Sequence, residues 1–343
     1  MKKLLNTLYV TSEDIYLSLD GENIVANRAR TEVARYPLHT LQGIVSFSYA
    51  GASPALMGAC ADRGIGVTFC TPRGRFLVRV ASTENGNVLL RRMQYRVADD
   101  PFQSCRIAKM MIFGKVYNSK WSIERTKRDH GARIDTERFE TVSDKLQRLL
   151  APIVDEISKN SLRGLEGAGA NEYYSVLDDM ILGDKETFFF TGRSRRPPLD
   201  AFNALLSFAY SLLAHDCASA LESTGLDPYV GFMHTDRPGR ESLALDLMEE
   251  LRPCFADRFV LTLVNNRIIK ASDFDFKENG AVMLNEDGRK KFLNKWQERK
   301  QEEIRHPFLA EKVSWGMVPY AQSLLLSRYL RDDIEAYPPF LWK

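Results

Sequence analysis

The chain changes its hydrophobic period once, at Asp99-Asp100-Pro101, and that change limits what it can fold into. Before the break, "NTLYVTS", "DIYLSLDG", "NIVANR" and "EVARYPL" carry β-branched and aromatic residues in partial alternation. That is the pattern of half-buried strands. Asp20-Gly21 and Glu22-Asn23 supply turns. "GIVSFSYAG" reads as a further strand. "SPALMGACADRG" reads as one embedded helix, capped by Ser53, with Pro54 in its first turn and Gly64 at its end. "IGVTFCTPRGRFLVRVA" reads as a hairpin turning at Pro72 to Gly74. After the break the spacing turns helical: Ile107, Met110, Met111, Val116, Tyr117 and Trp121 share one broad face. "DTERFETVSDKLQRLLAPIVDEI", "DAFNALLSFAYSLLAHDCASALESTG", "ESLALDLMEELR" and "GRKKFLNKWQERKQEEIR" continue in the same way. The expected fold is α+β. A small N-terminal β-sheet domain spans 1–97 and a larger all-α C-terminal domain spans 101–343, joined by a short junction near Ala98 to Pro101.

A chain of 343 residues fits this two-domain division. No run of 18 apolar residues is present, so no membrane span is expected. The start, "MKKLLNTLYVTSEDIYL", is interrupted by polar residues and lacks the apolar core of a signal peptide. Cys60, Cys70, Cys105, Cys217 and Cys254 form no C-x-x-C pair, which points to reduced thiols in a cytoplasmic protein. The formal net charge is only +2, yet Arg73 to His130 holds thirteen Lys and Arg against five acids. Such a zone is either a phosphate footprint or a solvated face balanced elsewhere by the fold. The tail "AYPPFLWK" is apolar and stiffened by Pro338-Pro339. It either packs on its own domain or anchors a partner.

Three stretches carry candidate chemistry. In "RGLEGAGANEYY" one acid, Glu166, sits among Gly164, Gly167 and Gly169. A phosphate-cradling glycine loop follows a strand, whereas this stretch follows a helix-like run. The glycines therefore read as clearance on a helix, for a close-packed neighbour or for a polyanion approaching Glu166. In "GLDPYVGFMHTDRPGRESLALDLMEELRP", His234 precedes a turn at Pro238-Gly239, and a helix starts at Glu241 or Ser242 and ends at Pro253. Its apolar stripe is Leu243, Ala244, Leu247, Met248 and Leu251. Asp246, Glu249 and Glu250 fall at i, i+3 and i+4, either as a solvated acidic face or as a cation site facing His234. Glu166, His234 and one or two of those acids make an oxygen-dominated ligand set suited to Mg²⁺ or Mn²⁺, with the nitrogen favouring Mn²⁺. A divalent ion near basic residues is what phosphodiester chemistry needs. In "TGRSRRPPLDAFNALLSFAYSLL", Arg193, Arg195 and Arg196 are candidate nucleic-acid contacts. Asp200 caps a buried central helix, and Asp200 and Asn203 read as structural.

These stretches together resemble the CRISPR-associated adaptation integrases, the Cas-one family. "LRGLEGAGANEYY" is similar to the family's R-G-x-E-G segment, and "SRRPPLDAFNALLSFAYSLL" to its R-x-P-P-x-D-P-x-N-A-L-L-S-F-x-Y helix. "GLDPYVGFMHTDRPGRESLALDLMEELRP" is similar to its histidine-plus-acidic-helix segment, and "GAVMLNEDGRKKFLNKW" to a later helical one. The start, "MKKLLNTLYVTSEDIYLSLDGENIVANR", resembles members from subtype I-C systems. Ala201 departs from the family's usual proline after the capping aspartate. The resemblance implies a metal-dependent endonuclease and integrase with Glu166, His234 and Glu249 as catalytic metal ligands. Helical spacing alone leaves Asp246 and Glu250 open in place of Glu249. It implies a homodimer formed through the β domains, two such dimers flanking a Cas-two dimer, and in subtype I-C relatives a Cas-four nuclease. It implies double-stranded DNA substrates, the protospacer and the CRISPR leader–repeat. The protospacer 3′-hydroxyl attacks a phosphodiester at the leader–repeat boundary, then at the far end of the repeat. Two other readings fit the residues: a metal-dependent nuclease that never joins, and a non-catalytic nucleic-acid scaffold.

Overall fold

The period-two stretches pair into two sheets in a computed structural model, which describes residues 7–41, 43–71, 76–80 and 88–343. The strands are β1 (Thr7–Val10), β2 (Ile15–Asp20), β3 (Asn23–Arg28), β4 (Thr31–Pro37), β5 (Gly43–Ser46), β6 (Gly66–Cys70) and β7 (Phe76–Val80). β2, β3 and β4 form an antiparallel meander, and the other four form a sheet in the order β1-β5-β6-β7. In that sheet β5 pairs parallel with both β1 and β6, while β6 and β7 pair antiparallel. The Pro72 to Gly74 turn lies outside the described residues. Helix α1 (Pro54–Asp62) makes the parallel crossover from β5 to β6. It starts as its sequence dictates: the Ser53 hydroxyl accepts from Leu56 N–H at 3.2 Å. Gly64 follows it at φ +65°, a conformation that glycine adopts at no steric cost.

Parallel strands are normally covered on both faces, and this sheet is. Leu17, Ile24, Leu38, Ile44, Leu56 and Val67 form a small core between it, the meander and α1. Phe47 and Cys70 belong to the large core shared with the helices. The alternation within single strands carried no sign of this middle-layer position.

The strand region ends earlier than the sequence suggested. Val88–Asp99 is a helix, α2, within the span read as strands up to residue 97. Its buried residues Leu90, Gln94 and Val97 lie at i, i+4 and i+7, a helical stripe short enough to be hidden among three arginines. Asp100 then caps α3 (Pro101–His130), accepting from Phe102 N–H at 2.9 Å and Gln103 N–H at 3.0 Å. α4 (Thr136–Asp155) and α5 (Lys159–Ser175) pack against α3. α6 (Ala201–Ser223) runs through the core with Asp200 as its cap. Among the described residues α6 alone is, by length and composition, apolar enough to cross a membrane, but 72% of that window is buried inside this chain, as a core helix requires.

α7 (Ser242–Glu249) does not end at Pro253 as expected. The chain widens into one π-type turn, Arg252–Asp257, and continues as α8 (Arg258–Asn265). Pro253 has no N–H to give, and Ala256 N–H reaches back five residues to Leu251 C=O at 3.3 Å. The later region is mainly rather than wholly helical. It adds the hairpin β8 (Phe274–Phe276) with β9 (Val282–Leu284), then α9 (Glu286–Gln301). The hairpin β10 (Glu303–Arg305) with β11 (Lys312–Ser314) and α10 (Val318–Leu330) follow. Glu302 turns extended and ends α9, so the residues read as its last turn are a strand.

The tail packs on its own chain. Tyr337, Phe340 and Trp342 are buried. Asn118, in the middle of α3, donates to Glu250 C=O at 2.7 Å and Phe340 C=O at 2.8 Å, and accepts from Trp342 N–H at 2.8 Å. Asn118→Ala strands these three buried groups. Urea denaturation should show a loss of about 2 kcal/mol or more, together with faster proteolysis after Tyr337.

Candidate active site

The three acids of α7 are all buried, and each meets a different partner. The Asp246 carboxylate accepts from the N–H groups of Phe232 at 2.6 Å, Met233 at 2.9 Å and His234 at 2.9 Å. It also lies 2.5 Å from His234 Nδ1. An ionised carboxylate only accepts, so Nδ1 carries a proton, and in the neutral ring the lone pair is on Nε2. The Glu250 carboxyl faces the tail. Tyr337 hydroxyl donates to it at 2.6 Å, Phe340 N–H at 2.6 Å and Gln322 Nε2 at 2.9 Å. Burial pushes it up to about 8 despite those donors. Only Glu249 turns toward Glu166. The three acids that helical spacing left together part in geometry: Glu249 shares a cation with Glu166, Asp246 contacts His234, and Glu250 contacts the tail.

That shared cation is Lys115 of α3. Its ammonium donates to Glu249 at 2.8 Å and also to Glu166. Arg252 pairs with the other Glu249 oxygen at 3.0 Å and lies over the Tyr210 ring at 4.7 Å. Burial alone would raise the Glu249 carboxyl, but Arg252 and Lys115, with His234 adding to them, pull it down to about 2. Burial likewise works against the Lys115 ammonium, and Glu249 and Glu166 outweigh it, so its pKa rises. The exposed side of the group is set by Glu166, 28% exposed, and His234, 23% exposed.

The loop bearing His234 is held from several sides. Ser104 of α3 donates to Phe232 C=O at 2.9 Å, and Arg163 of α5 to Met233 C=O at 3.1 Å. Gln94 of α2 donates to Asp227 C=O at 2.8 Å and Val230 C=O at 2.9 Å. Gly231 has to be glycine: a Cβ there would stand 2.8 Å from both Asp246 Oδ2 and Ser242 Cβ. The glycines around Glu166 divide. A Cβ on Gly169 would press on Val116 of α3 at 3.0 Å, which is helix packing. A Cβ on Gly164 or Gly167 would meet nothing within 4 Å.

The charge reading changes in detail. The basic zone of 73–130 is not one surface. Arg79 is buried against Glu222 at 3.0 Å and Glu241 at 2.5 Å, and Lys115 lies inside the site. Arg193 is internal too: it donates to Asn203 at 2.6 Å and Ser207 at 3.0 Å. That removes it from the three candidate nucleic-acid contacts, while Arg195 and Arg196 stay exposed. Beside His234, burial and then the neighbouring Arg237 lower the Arg240 guanidinium; Asp246 opposes them and Arg196 adds to them. Cations thus crowd the rim next to the histidine.

Two carboxylates and one free imidazole nitrogen make a donor set able to hold a hard divalent ion. Among the described residues no three His, Cys, Asp or Glu side chains enclose such an ion as they stand. The position between Glu166 and Glu249 nonetheless favours positive charge, since the Lys115 ammonium stands there. Sequence reading missed Lys115, one lysine in a long basic run with no distinguishing neighbour. It also missed Asp246 as the support of the histidine.

Comparison with known proteins agrees with the geometry. The family model for CRISPR associated protein Cas1 matches residues 8–298. CRISPR-associated endonuclease Cas1 1 of Chlorobaculum tepidum is 48% identical over 343 residues, covering all of both chains. A CRISPR-associated exonuclease Cas4/endonuclease Cas1 fusion of Geobacter sulfurreducens is 36% identical over 97% of this chain and 60% of its own length. Two solved structures share the fold. A casposase bound to integration product has a TM-score of 0.84 at 23% identity, covering 98% of this chain and 94% of its own. A Cas6-RT-Cas1–Cas2 complex has a TM-score of 0.81 at 20% identity, covering all of this chain and 36% of its own.

The Glu249 carboxyl gives a pH prediction. Its folded value of about 2 lies below the ordinary 4.5. The stability it contributes is present above the ordinary value and is lost as pH falls through about 2. Glu249→Gln should flatten the acid limb of thermal stability between those values while leaving its shape at neutral pH unchanged. Asp246→Ala, which strands three N–H groups, should cost about 3 kcal/mol or more at any pH in urea denaturation.

Proposed function

Because the chain belongs to the Cas1 family, the endonucleases and integrases of CRISPR adaptation, we propose that its phosphodiester chemistry takes place at Glu166, His234 and Glu249. The observation that carries this is their arrangement. Carboxylates from α5 and α7 meet at one cation, and Asp246 aims the free His234 nitrogen from beside them. Glu166, Glu249 and His234 Nε2 would hold a Mg²⁺ or Mn²⁺. Once bound, such an ion supplies Lewis-acid polarisation of a phosphoryl oxygen and orients the attacking hydroxyl.

The chain's own residues do the rest. Asp246 holds the imidazole in one tautomer and one orientation. Arg195, Arg196 and Arg237, all exposed, bind flanking phosphates without reading sequence. Gly164 and Gly167 leave open space on α5, on sides of the helix other than that of Glu166, so a DNA backbone can approach that helix. The reaction is transesterification: the protospacer 3′-hydroxyl forms one P–O bond as another breaks, so no nucleotide triphosphate is consumed. Attack by water at the same phosphorus gives hydrolysis. Binding through phosphates and shape makes affinity fall steeply with salt.

The same reading extends to assembly. The protein works as a homodimer joined through its β half, with a Cas2 dimer between two such dimers and a Cas4 nuclease as a further partner. The Cas2-containing structure and the Cas4 fusion named above support it, as does the resemblance of the first residues to subtype I-C members. It places the protein in the cytoplasm and divides the chain near residues 97–101 into an assembly domain and a catalytic domain.

The test is strand transfer into a supercoiled plasmid carrying a CRISPR leader and repeat. Glu166→Ala and His234→Ala should each lower half-site product by on the order of a thousandfold, with DNA binding retained. Nicking without any joined product from the wild-type chain, assayed with its Cas2, would leave a nuclease alone. Full activity in both variants would leave a scaffold.

A further inference from the structure

Lys115 has a position that a merely structural lysine does not need. It is on α3, but its ammonium lies between a carboxylate of α5 and a carboxylate of α7, and it donates to both. Its side chain is 10% exposed, so water screens these contacts little. Among the described residues Glu166 makes its ion pair with Lys115 alone, whereas Glu249 also has Arg252. Arg252 is held back over the Tyr210 ring and does not reach Glu166.

We infer that Lys115 is a built-in competitor for the divalent ion: its ammonium neutralises the Glu166–Glu249 pair, and an entering ion must displace it. This rests on the reading of Glu166 and Glu249 as metal ligands. The electrostatics follow from the contacts. Two carboxylates that share one cation repel each other once it leaves, so the pair needs a positive charge at all times. A divalent ion meets that need from about 2.1 Å. The ammonium meets it at 2.8 Å from Glu249, on the same oxygens. The two cations repel, so they cannot both sit there. Lys115 thereby sets how tightly the ion binds without being one of its ligands. It is a positioning residue that tunes the site.

The experiment titrates Mn²⁺ alone into the full-length protein, by calorimetry and by the rise in melting temperature. Wild type is compared with Lys115→Met, Lys115→Arg, Glu166→Gln and the Lys115→Met/Glu166→Gln double variant. Lys115→Met should bind Mn²⁺ roughly ten- to a hundredfold more tightly than wild type, and its melting temperature should rise more on adding the ion. Lys115→Arg keeps a cation and should stay near wild type. The double variant should lose the gain. Lys115→Gln, which keeps a donor for the carboxylates, serves in its place if Lys115→Met does not fold. Equal or weaker binding in Lys115→Met, or in Lys115→Gln where it stands in, with Glu166→Gln still impairing binding, overturns the competitor and leaves the ligand reading standing. Mn²⁺ binding indifferent to Glu166→Gln overturns the ligand reading and this inference with it.

Discussion

Three carboxyl groups buried within five residues at the end of one short helix are the constraint on which this structure turns. Asp246, Glu249 and Glu250 are each at most 4% exposed. A buried charge or polar group without partners is costly, so each must find them, and each finds them in a different part of the chain; Glu250, pushed up to about 8 by burial, does so chiefly as a neutral acid at pH 7. Asp246 takes three backbone N–H groups and so shapes the His234 loop. Glu249 takes Lys115 and Arg252 and so ties α3 to α7. Glu250 takes Tyr337, Gln322 and the Phe340 N–H and so fixes the C-terminal tail. The histidine loop, the central helix and the tail are placed by one short acidic segment.

The β half is bound into the same arrangement. Arg79 of β7 pairs with Glu241, the residue just before α7, and with Glu222 near the end of α6. Gln94 of α2 is fully buried and grips the backbone at both ends of the segment from Asp227 to Val230, which leads to the histidine. Tyr95 beside it donates to the Asp227 carboxylate at 2.8 Å. Displacement of α2 would therefore reach His234 through these bonds. Arg79 and α2 together tie the strand region to the segment that carries His234.

What the sequence made legible follows from which signals are local. Helix caps at Ser53 and Asp200 and the switch of period at Asp99-Asp100-Pro101 are written in neighbouring residues, and the structure has them. Glu166 and His234 stood out because glycines and a turn set them off. The parallel pairing of β5 was not legible, because it depends on what covers both faces of the sheet. Nor was α2, whose stripe of three buried residues is broken by charges. The roles of Asp246, Glu249 and Glu250 were least legible of all. They share one helix face in sequence, and their partners lie at Phe232 to His234, at Lys115 and at Tyr337 to Phe340. Contacts with residues far outside the helix separate what spacing cannot.

The glycines beside Glu166 show how such contacts turn a pattern into a mechanism. Three glycines in six residues weaken a helix by roughly 1 kcal/mol each relative to alanine. Gly169 has a local reason, since any Cβ there would press on Val116. Gly164 and Gly167 have none within the chain, for a methyl group at either would touch nothing. On α5 they stand two residues before and one residue after Glu166, so neither shares its side of the helix, whereas Gly169 at i+3 does. Glu166 is the most open acid of the group. The clearance beside it is the one at Gly169, and Val116 of α3 fills it. That close approach of α3 brings Lys115, the residue before Val116, within reach of the Glu166 carboxylate.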